Sequence, residues 1–304
     1  MFNPRTDLAM ESFSASGKTD LPGVEVRQWE QSEVTLTEVV ITDANTASQL
    51  GKPCGTYLTL ESALLRERDP DVRIAAANLL GEELARLIPP DDGAPVLIVG
   101  LGNRFVTPDS LGPSTIDRTL VTRHAVENGF SRAKMRSVAA IAPGVLGITG
   151  VETVEMVESL VKKLSPRLVI CIDALAARAS SRIGAAIQLT DAGIQPGSGV
   201  GNHRKPLNRE TLGVDVVAVG MPTVIYAATL ARDAFALLSE ENSNDYSELD
   251  AIERELLGDP AGEMIVTPRE IDSIIQDASG ILASGINRAL HPNLSDAEIA
   301  AMMD

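Results

Sequence analysis

Two aspartates, Asp109 and Asp173, lie where side chains could act together on a bound substrate. Asp173 ends the apolar run LVICI, and Asp109 lies in the loop after the apolar run PVLIVGL. An ionised carboxylate beside apolar residues loses hydration unless a neighbour compensates for it. Two nearby carboxylates shift each other's pKa values apart, so one can act as a base and the other as an acid. The pair predicts hydrolysis, although local turn bonding by Asp109 and a capping role for Asp173 are structural alternatives.

A basic cluster formed by His203, Arg204 and Lys205 is unusual in a chain whose net charge is −16. It is either a solvated loop or a docking site for an acidic side chain of a substrate. We predict that these three residues bind substrate. The other histidines, His124 and His291, have helical or helix-end neighbours and are expected at the surface.

Other catalytic motifs fit the sequence less well. Phe105 stands where the third glycine of a dinucleotide-binding fingerprint belongs, which argues against a nucleotide site. Ser198 lies in Gly-Ser-Gly rather than in a Gly-x-Ser-x-Gly elbow. The sequence has no His-Glu-x-x-His segment. We therefore expect neither a metal nor another cofactor.

The elements that must position these residues alternate between strands and helices. Nearly continuous apolar runs are typical of strands buried on both faces of a sheet. Four such runs occupy the centre of the chain: Pro95–Leu101, Val138–Ala142, Leu168–Ala174 and Val214–Gly220. Helical stretches, roughly Pro113–Glu127 and Val151–Leu164, separate the first three. This order predicts a three-layer α/β/α fold with a mostly parallel central sheet.

The flanking segments predict further elements. Alternation in Val24–Thr42 predicts a pair of strands and Tyr57–Leu60 another, which gives a β-rich N-terminal part over about residues 20–62. Asp69 and Pro70 are suited to begin a helix that ends near Ile88. A more exposed strand is expected within Ile183–Thr190, and an acidic surface helix with its connection within Glu240–Glu255. A helix docked on the sheet is expected within Pro268–Leu290.

Four loops should meet at the carboxyl ends of the central strands, where open parallel sheets bind ligands. They are Gly102–Gly112, Pro143–Gly150, Asp173–Arg178 and Pro196–Lys205. In a hydrolase of this design, one aspartate activates water and the other protonates the leaving group. Backbone N–H groups of a glycine loop are expected to polarise the carbonyl group.

Composition narrows the classes of partner. The chain has 304 residues, 44% of them hydrophobic, and a sequence pI of about 4.6. Such an acidic surface is repelled by nucleic acid and by anionic membranes, so direct binding to either is not expected. Two cysteines, Cys54 and Cys171, are too few for a disulfide framework. With no signal-peptide pattern and no membrane-spanning apolar run, the expected location is the cytoplasm.

Eight segments, in order over nearly the whole chain, resemble the germination protease family. They are RTDLA (Arg5–Ala9), TYLTLES (Thr56–Ser62), VGLGNRFVTPDSLGP (Val99–Pro113), APGVLGITGVET (Ala142–Thr153), IDALAAR (Ile172–Arg178), PGSGVGNHRK (Pro196–Lys205), GMPTVI (Gly220–Ile225) and MIVTPREID (Met264–Asp272). The match is far more specific than a single glycine motif.

The resemblance implies an endopeptidase that degrades small acid-soluble spore proteins during spore germination. It also implies a zymogen that processes its own N-terminus, a homotetramer, and a location in the forespore and spore core. The two acids proposed for an atypical aspartic mechanism in the family fall on Asp109 and Asp173. Two alternatives stay open: a metallopeptidase that uses the same aspartates with His203, and a non-catalytic protein that binds spore proteins.

The N-terminus itself resembles the family's cleavage sites, which place an acid before the cut bond and a further acid after it. Here Asp7, Leu8, Ala9 and Glu11 follow a similar course. We expect cleavage between Asp7 and Leu8, which makes residues 1–7 a short propeptide and residues 8–304 a single α/β peptidase domain. The alternative is that Asp7 and Glu11 are ordinary charges on a disordered terminus.

Overall fold

The computed structural model describes residues 5–129, 135–197, 204–238, 251, 255–256 and 259–303. Its strands are β1 (Val24–Gln31), β2 (Val34–Ile41), β3 (Gly55–Glu61), β4 (Val96–Gly100), β5 (Val138–Ile141), β6 (Leu168–Ala177), β7 (Ala186–Thr190), β8 (Asp215–Tyr226) and β9 (Ile265–Val266). Its helices are α1 (Ala9–Ala15), α2 (Ala44–Leu50), α3 (Ala63–Arg66), α4 (Pro70–Leu87), α5 (Leu111–Ile116), α6 (Arg123–Glu127), α7 (Leu146–Thr149), α8 (Thr153–Leu164), α9 (Arg209–Leu212), α10 (Ala227–Leu238), α11 (Ile271–Leu290) and α12 (Asp296–Met303).

The strands form one sheet in the order β1-β2-β3-β7-β8-β6-β4-β5, and β9 pairs with β8 outside this path. The central strands β8, β6, β4 and β5 are parallel to one another. Strands β1, β2, β3 and β7 form an antiparallel extension that joins the centre through β8. The predicted α/β fold with a parallel core and a β-rich N-terminal part is confirmed.

Helices cover both faces of the parallel centre. On one face, Ile98 and Ile170 share a buried cluster with Leu80 of α4 and Leu282 of α11. On the other face, alternate residues of the same strands, such as Cys171, are buried with Val157 of α8 and its neighbours. Burial on both faces is why these strands are continuous apolar runs in the sequence.

The single helix predicted over Pro113–Glu127 is wrong. The segment forms two short helices, α5 and α6, with an irregular stretch between them. In that stretch, the N–H of Leu120 donates to Oδ1 of Asn287 on α11 at 2.9 Å. The hydroxyl group of Thr122 donates to the carbonyl of Arg136 at 2.5 Å. Bonds to distant segments thus replace the bonds that would continue the helix.

Three smaller expectations are also wrong. The strand predicted within Ile183–Thr190 is β7, but all its residues are buried because β3 and β8 flank it. His291 is fully buried rather than at the surface. The segment Asp173–Arg178 was expected to be a loop, but β6 continues through it to Ala177 because β8 stays paired with β6. Most of the predicted helix within Glu240–Glu255 lies outside the described residues.

Among the helices that the structure describes, none is both long and apolar enough to cross a membrane.

Candidate active site

Asp173 lies on β6 at the point where the sheet narrows. The β4–β6 ladder ends with Gly100 opposite Ile172, whereas β8 continues with Gly220 opposite Asp173. Asp173 is therefore the first residue of β6 beyond the end of β4. Its side chain is 6% exposed, and its carboxylate accepts the N–H of Ala174 at 2.9 Å.

Asp109 is positioned by the loop after β4. It ends a short 3-10 turn, Thr107–Asp109, directly before α5. The backbone N–H of Asn103 donates to the Asp109 carboxylate at 2.8 Å. The buried hydroxyl group of Thr223 on β8 donates to the carbonyl of Pro108 at 2.7 Å. These bonds fix Asp109 relative to the strand that neighbours Asp173.

The two carboxyl groups differ in how readily they ionise. Burial raises the pKa of Asp173 well above its usual range, and the charges of Asp109 and Asp7 raise it further. Burial also raises the pKa of Asp109, but the N–H of Asn103 and the charge of Arg204 oppose that rise. Asp173 is thus the better proton holder, and Asp109 the better base.

Asp109 and Asp173 line one cavity of about 450 Å³, which we call the aspartate cavity. Its wall combines the loops after β4, β5 and β7 with β8 and the N-terminal segment. Among its other lining residues are Asp7, Gly144, Thr153, Arg204, Thr223 and Thr267. The predicted meeting of strand-end loops therefore produces a concave site around two carboxyl groups.

The three residues of the predicted basic cluster have different positions. Arg204 lines the aspartate cavity and forms an ion pair with Glu152 at 3.5 Å. Lys205 is exposed, and His203 lies outside the described residues. Within the described part of the chain, no group of three His, Cys, Asp or Glu side chains could hold a metal ion.

The N-terminal segment reaches the aspartate cavity of its own chain. The N–H of Asp7 donates to the carbonyl of Ala176 at 2.9 Å, and the N–H of Ala176 donates to the Asp7 carboxylate at 2.9 Å. The hydroxyl oxygen of Thr6 lies 3.3 Å from the same carbonyl oxygen. Leu8 is fully buried. The bond predicted to be cleaved is thus held at the wall of the cavity.

Gln188 on β7 contacts the chain on both sides of the Asp7–Leu8 bond. Its Nε2 donates to the carbonyl oxygen of Asp7 at 3.0 Å. Its Oε1 accepts the N–H of Ala9 at 2.8 Å. The amide thereby fixes the orientation of the peptide bond between Asp7 and Leu8.

A partly buried lysine, Lys52, holds Thr6, the residue directly before Asp7. Lys52 Nζ donates to the carbonyl of Thr6 at 2.8 Å. Burial lowers the pKa of Lys52, and the charges of Asp7 and Glu11 oppose that effect. The negative charges of these two acids of the N-terminal segment therefore favour the protonated form of Lys52.

Glu11 anchors the segment on the other side of the bond. Its carboxylate accepts the N–H groups of Arg178 and Ala179 at 2.6 and 2.9 Å. The guanidinium group of Arg182 donates to it at 2.9 Å. The Thr6 hydroxyl group also donates to it. These donors replace the hydration that a carboxylate with only 4% exposure has lost.

Sequence reasoning found some of these residues and missed others. The acidic spacing of the N-terminus singled out Asp7 and Glu11. Lys52, Arg182 and Gln188 were missed, because each is a single polar residue without a motif around it. Their positions follow from how β3, β6 and β7 are arranged.

Comparison with known proteins gives a consistent result over the whole chain. The sequence model of the family described as "Germination protease" matches residues 5–263 and 252–303. A germination protease of Clostridium perfringens is 40% identical, with 97% of each chain covered. Germination proteases of Clostridium tetani and Caldanaerobacter subterraneus are 37% and 39% identical, covering 99% and 98% of each chain.

Proposed function

The chain belongs to the germination protease family, and on that premise we propose that it is an endopeptidase that begins the degradation of small acid-soluble spore proteins. Its proposed location is the cytoplasm of the forespore and spore core. The observation that carries the proposal is the chain's own Asp7, which lines the aspartate cavity together with Asp109 and Asp173. A peptide segment with an acidic side chain therefore fits this site.

The proposed mechanism uses the two carboxyl groups in different protonation states. Asp173 begins as the carboxylic acid because burial and two nearby negative charges raise its pKa. Asp109 begins as the carboxylate because a backbone N–H and Arg204 oppose the rise of its pKa. Two carboxyl groups whose pKa values differ in this way can supply a base and an acid at the same pH.

Hydrolysis then needs two proton transfers. Asp109 takes a proton from water as the water oxygen attacks the carbonyl carbon, and the C=O electron pair moves onto the carbonyl oxygen. When that pair returns, the C–N bond breaks and its electrons take the proton of Asp173. The products are a new carboxyl terminus and a new amino terminus, and exchange with solvent restores the starting protonation.

We also propose that the chain is made as a zymogen. Asp7 occupies part of the cavity wall, and Leu8 is buried directly after it. A tethered segment has a high local concentration at the site, so it excludes a substrate until it is cut. Cleavage between Asp7 and Leu8 removes residues 1–7.

The basic cluster is proposed to bind the acidic residue beside the cut bond. Arg204 lines the same cavity as Asp7, which supports this role for the arginine. A charge-assisted bond to a carboxylate favours substrates with an acid at that position. His203 and Lys205 are proposed to add positive charge at the same place.

A homotetramer is the proposed assembly. Strand β1 is an edge strand whose residues are almost all exposed, including Val26 and Trp29. An exposed edge strand with apolar side chains is suited to pair with another chain.

The function is tested by incubating the chain with a small acid-soluble spore protein and sequencing the new ends. We expect cleavage after an acidic residue. Asp109→Asn and Asp173→Asn should each lower the rate by about 10²- to 10⁴-fold, because an amide cannot exchange the proton that the mechanism requires. Asp117→Asn is the matched control, since Asp117 pairs with Arg104 on the surface.

Three results would contradict the proposed function or its mechanism. Near-normal turnover by either variant removes that carboxylate from the chemistry. Loss of activity after exhaustive chelation, with recovery on adding a metal back, favours the metallopeptidase. Binding of the spore protein without any cleavage, even after trimming of the N-terminus, favours the non-catalytic alternative.

A further inference from the structure

Gln188 is a buried side chain with no role in the two-aspartate scheme. It is 5% exposed and lies at the centre of β7. Its amide donates to the carbonyl oxygen of Asp7 at 3.0 Å and accepts the N–H of Ala9 at 2.8 Å. The carbonyl that it contacts is the one attacked if the bond to Leu8 is cut.

The pairing of the strands puts Gln188 and Asp173 on the same face of the sheet. Gln188 pairs with Gly220 on β8, and Gly220 pairs with Asp173 on β6. Side chains directly opposite each other on adjacent strands lie on one face. Since strands are about 4.8 Å apart, the two backbones are separated by roughly 10 Å. An amide and a carboxyl group therefore flank the position of Gly220.

Gly220 allows the backbone of Asp173 and the side chain of Leu175 to pack closely over this position. A Cβ atom there would lie 2.5 Å from the carbonyl oxygen of Asp173, which is too close for any side chain. Gly220, Gln188 and Asp7 together line a second cavity of about 210 Å³. The N-terminal segment thus reaches this second cavity, where Gln188 donates to the carbonyl oxygen of Asp7.

We propose that Gln188 is a catalytic residue, whose amide N–H binds the carbonyl oxygen of the cut bond and stabilises the negative charge that develops there. The inference rests on the function proposed above and on Asp7–Leu8 as the bond that is cut. The same role is inferred for protein substrates: the carbonyl oxygen of the residue before the cut bond accepts a hydrogen bond from Nε2 of Gln188. Their N–H two residues after the cut donates to Oε1.

The chemistry requires no proton from Gln188. Water oxygen adds to the carbonyl carbon, and the C=O electron pair moves to the oxygen that Nε2 contacts. A hydrogen bond to a charged oxygen is stronger than one to a neutral carbonyl, so the contact stabilises the transition state more than the ground state. When the pair returns, the Leu8 nitrogen leaves with a proton from the carboxylic acid.

A purely structural role for Gln188 makes a different prediction. A structural tie would hold the N-terminal segment in place, and its loss would release the segment. Catalysis requires the cleavage rate to fall while the segment stays docked. Docking has independent support from Lys52 on Thr6 and from Arg182 on Glu11.

The test uses the full chain and two variants, Gln188→Ala and Gln188→Glu. Self-cleavage is followed by mass spectrometry, and docking by amide hydrogen exchange of residues 6–11. For Gln188→Ala we expect cleavage to slow about 10²- to 10³-fold, the range for loss of one oxyanion donor, with exchange nearly unchanged. For Gln188→Glu, activity relative to the unaltered chain should rise as pH falls, because only the protonated acid can donate.

Thr59→Val is the matched control. Thr59 is buried, lies opposite Gln188 on β3, and is similar in shape to valine. It should cleave at close to the normal rate. Normal cleavage by Gln188→Ala, or a loss of cleavage that merely follows a loss of exchange protection, overturns the catalytic role. If the unaltered chain cuts neither itself nor a spore protein, the proposed function is wrong. If the unaltered chain cuts but Gln188→Ala cuts equally well, only the catalytic role of Gln188 is wrong.

Discussion

The carboxyl group of Asp173 is buried among apolar residues and faces two other acids. Cys171, two residues earlier on β6, is fully buried. The charges of Asp109 and Asp7 raise the pKa of Asp173. Both burial and like charge disfavour the ionised form, so the folded chain holds this proton more tightly than the unfolded chain does. A group of this kind makes stability depend on pH.

Asp173→Asn should therefore stabilise the fold at neutral pH. The pKa of Asp173 is raised in the folded state. Its favourable contribution to the free energy of unfolding is therefore complete below the pKa of the unfolded chain, and it is lost as pH rises through the pKa of the folded chain. An asparagine has no such loss. We expect the melting temperature of the variant to exceed that of the unaltered chain at pH 7 to 8, and the difference to vanish near pH 4.

Asp109→Asn serves as the comparison for that measurement. The pKa of Asp109 is also raised by burial, but Asn103 and Arg204 oppose the rise, so its gain should be smaller. Equal melting temperatures for Asp173→Asn and the unaltered chain across this pH range would show that Asp173 is ionised at no cost, and the assignment of Asp173 as the acid would be wrong.

Single residues show why the sequence revealed only part of the site. That Asp109 and Asp173 line one cavity was predictable, because each follows an apolar run, where a carboxylate requires an explanation. Gln188 was not predictable, because a lone glutamine in a strand carries no local signal. Its contact with Asp7 depends on the row of β7, β8 and β6, and that strand order is set by crossovers rather than by nearby sequence.

At the scale of elements, the turn after β4 depends on Gly102. Its φ is +104°, a conformation that side chains rarely adopt, and a Cβ atom there would lie 2.0 Å from the carbonyl oxygen of Asp109. The backbone of Asp109 can approach β4 this closely because residue 102 has no side chain. The turn therefore sets the distance between Asp109 and Asp173 on the adjacent strand.

Gly102→Ala should damage both stability and catalysis. We expect a loss of about 1–3 kcal/mol for the strained backbone, and a fall in cleavage because Asp109 must move away from the new methyl group. Gly147→Ala is the control, since a Cβ atom at Gly147 meets nothing within 4 Å. Urea unfolding and the cleavage assay check both effects. Normal activity of Gly102→Ala would show that the position of Asp109 does not matter.

Elements were predictable where burial alone determines them. Strands β4, β5 and β6 and helices α4 and α8 appear near the expected positions, because their apolar patterns reflect contacts with the sheet. Helix α1 was missed, since its buried face includes polar residues such as Glu11, which accepts a backbone N–H just after β6. The helix expected over Pro113–Glu127 failed because α11 supplies Asn287 to bind the backbone of Leu120.

On the scale of the whole molecule, the first residues of the chain bind to the end of β6 and to the turn after it, more than a hundred and fifty positions away. Asp7 bonds to Ala176, and Glu11 bonds to Arg178 and Arg182. Although the net charge is −16, cations are concentrated where these two acids dock. These contacts lie within one chain, so they predict that the proposed processing occurs within one chain.

Processing should be intramolecular. Because α1 and residues 6–8 dock on their own chain, the bond proposed to be cut is present at an effective concentration that a neighbouring chain does not match. We expect the rate constant for loss of residues 1–7 to stay constant over about a hundredfold range of protein concentration. Mass spectrometry of samples taken during processing measures this rate constant directly.

A mixing experiment separates cleavage within one chain from cleavage between subunits of one assembly. Asp173→Asn chains labelled with ¹⁵N are mixed and assembled with unlabelled, unaltered chains, so each product is identified by mass. The unlabelled chains should lose residues 1–7, whereas the labelled chains should keep them, because their own cavity lacks the proton donor and their leader does not reach a neighbour's cavity. Trimming of labelled chains at the rate of unlabelled ones would show instead that each leader is cut by a partner subunit, and the docked arrangement of Asp7 would then be inhibitory without being the arrangement that is cleaved.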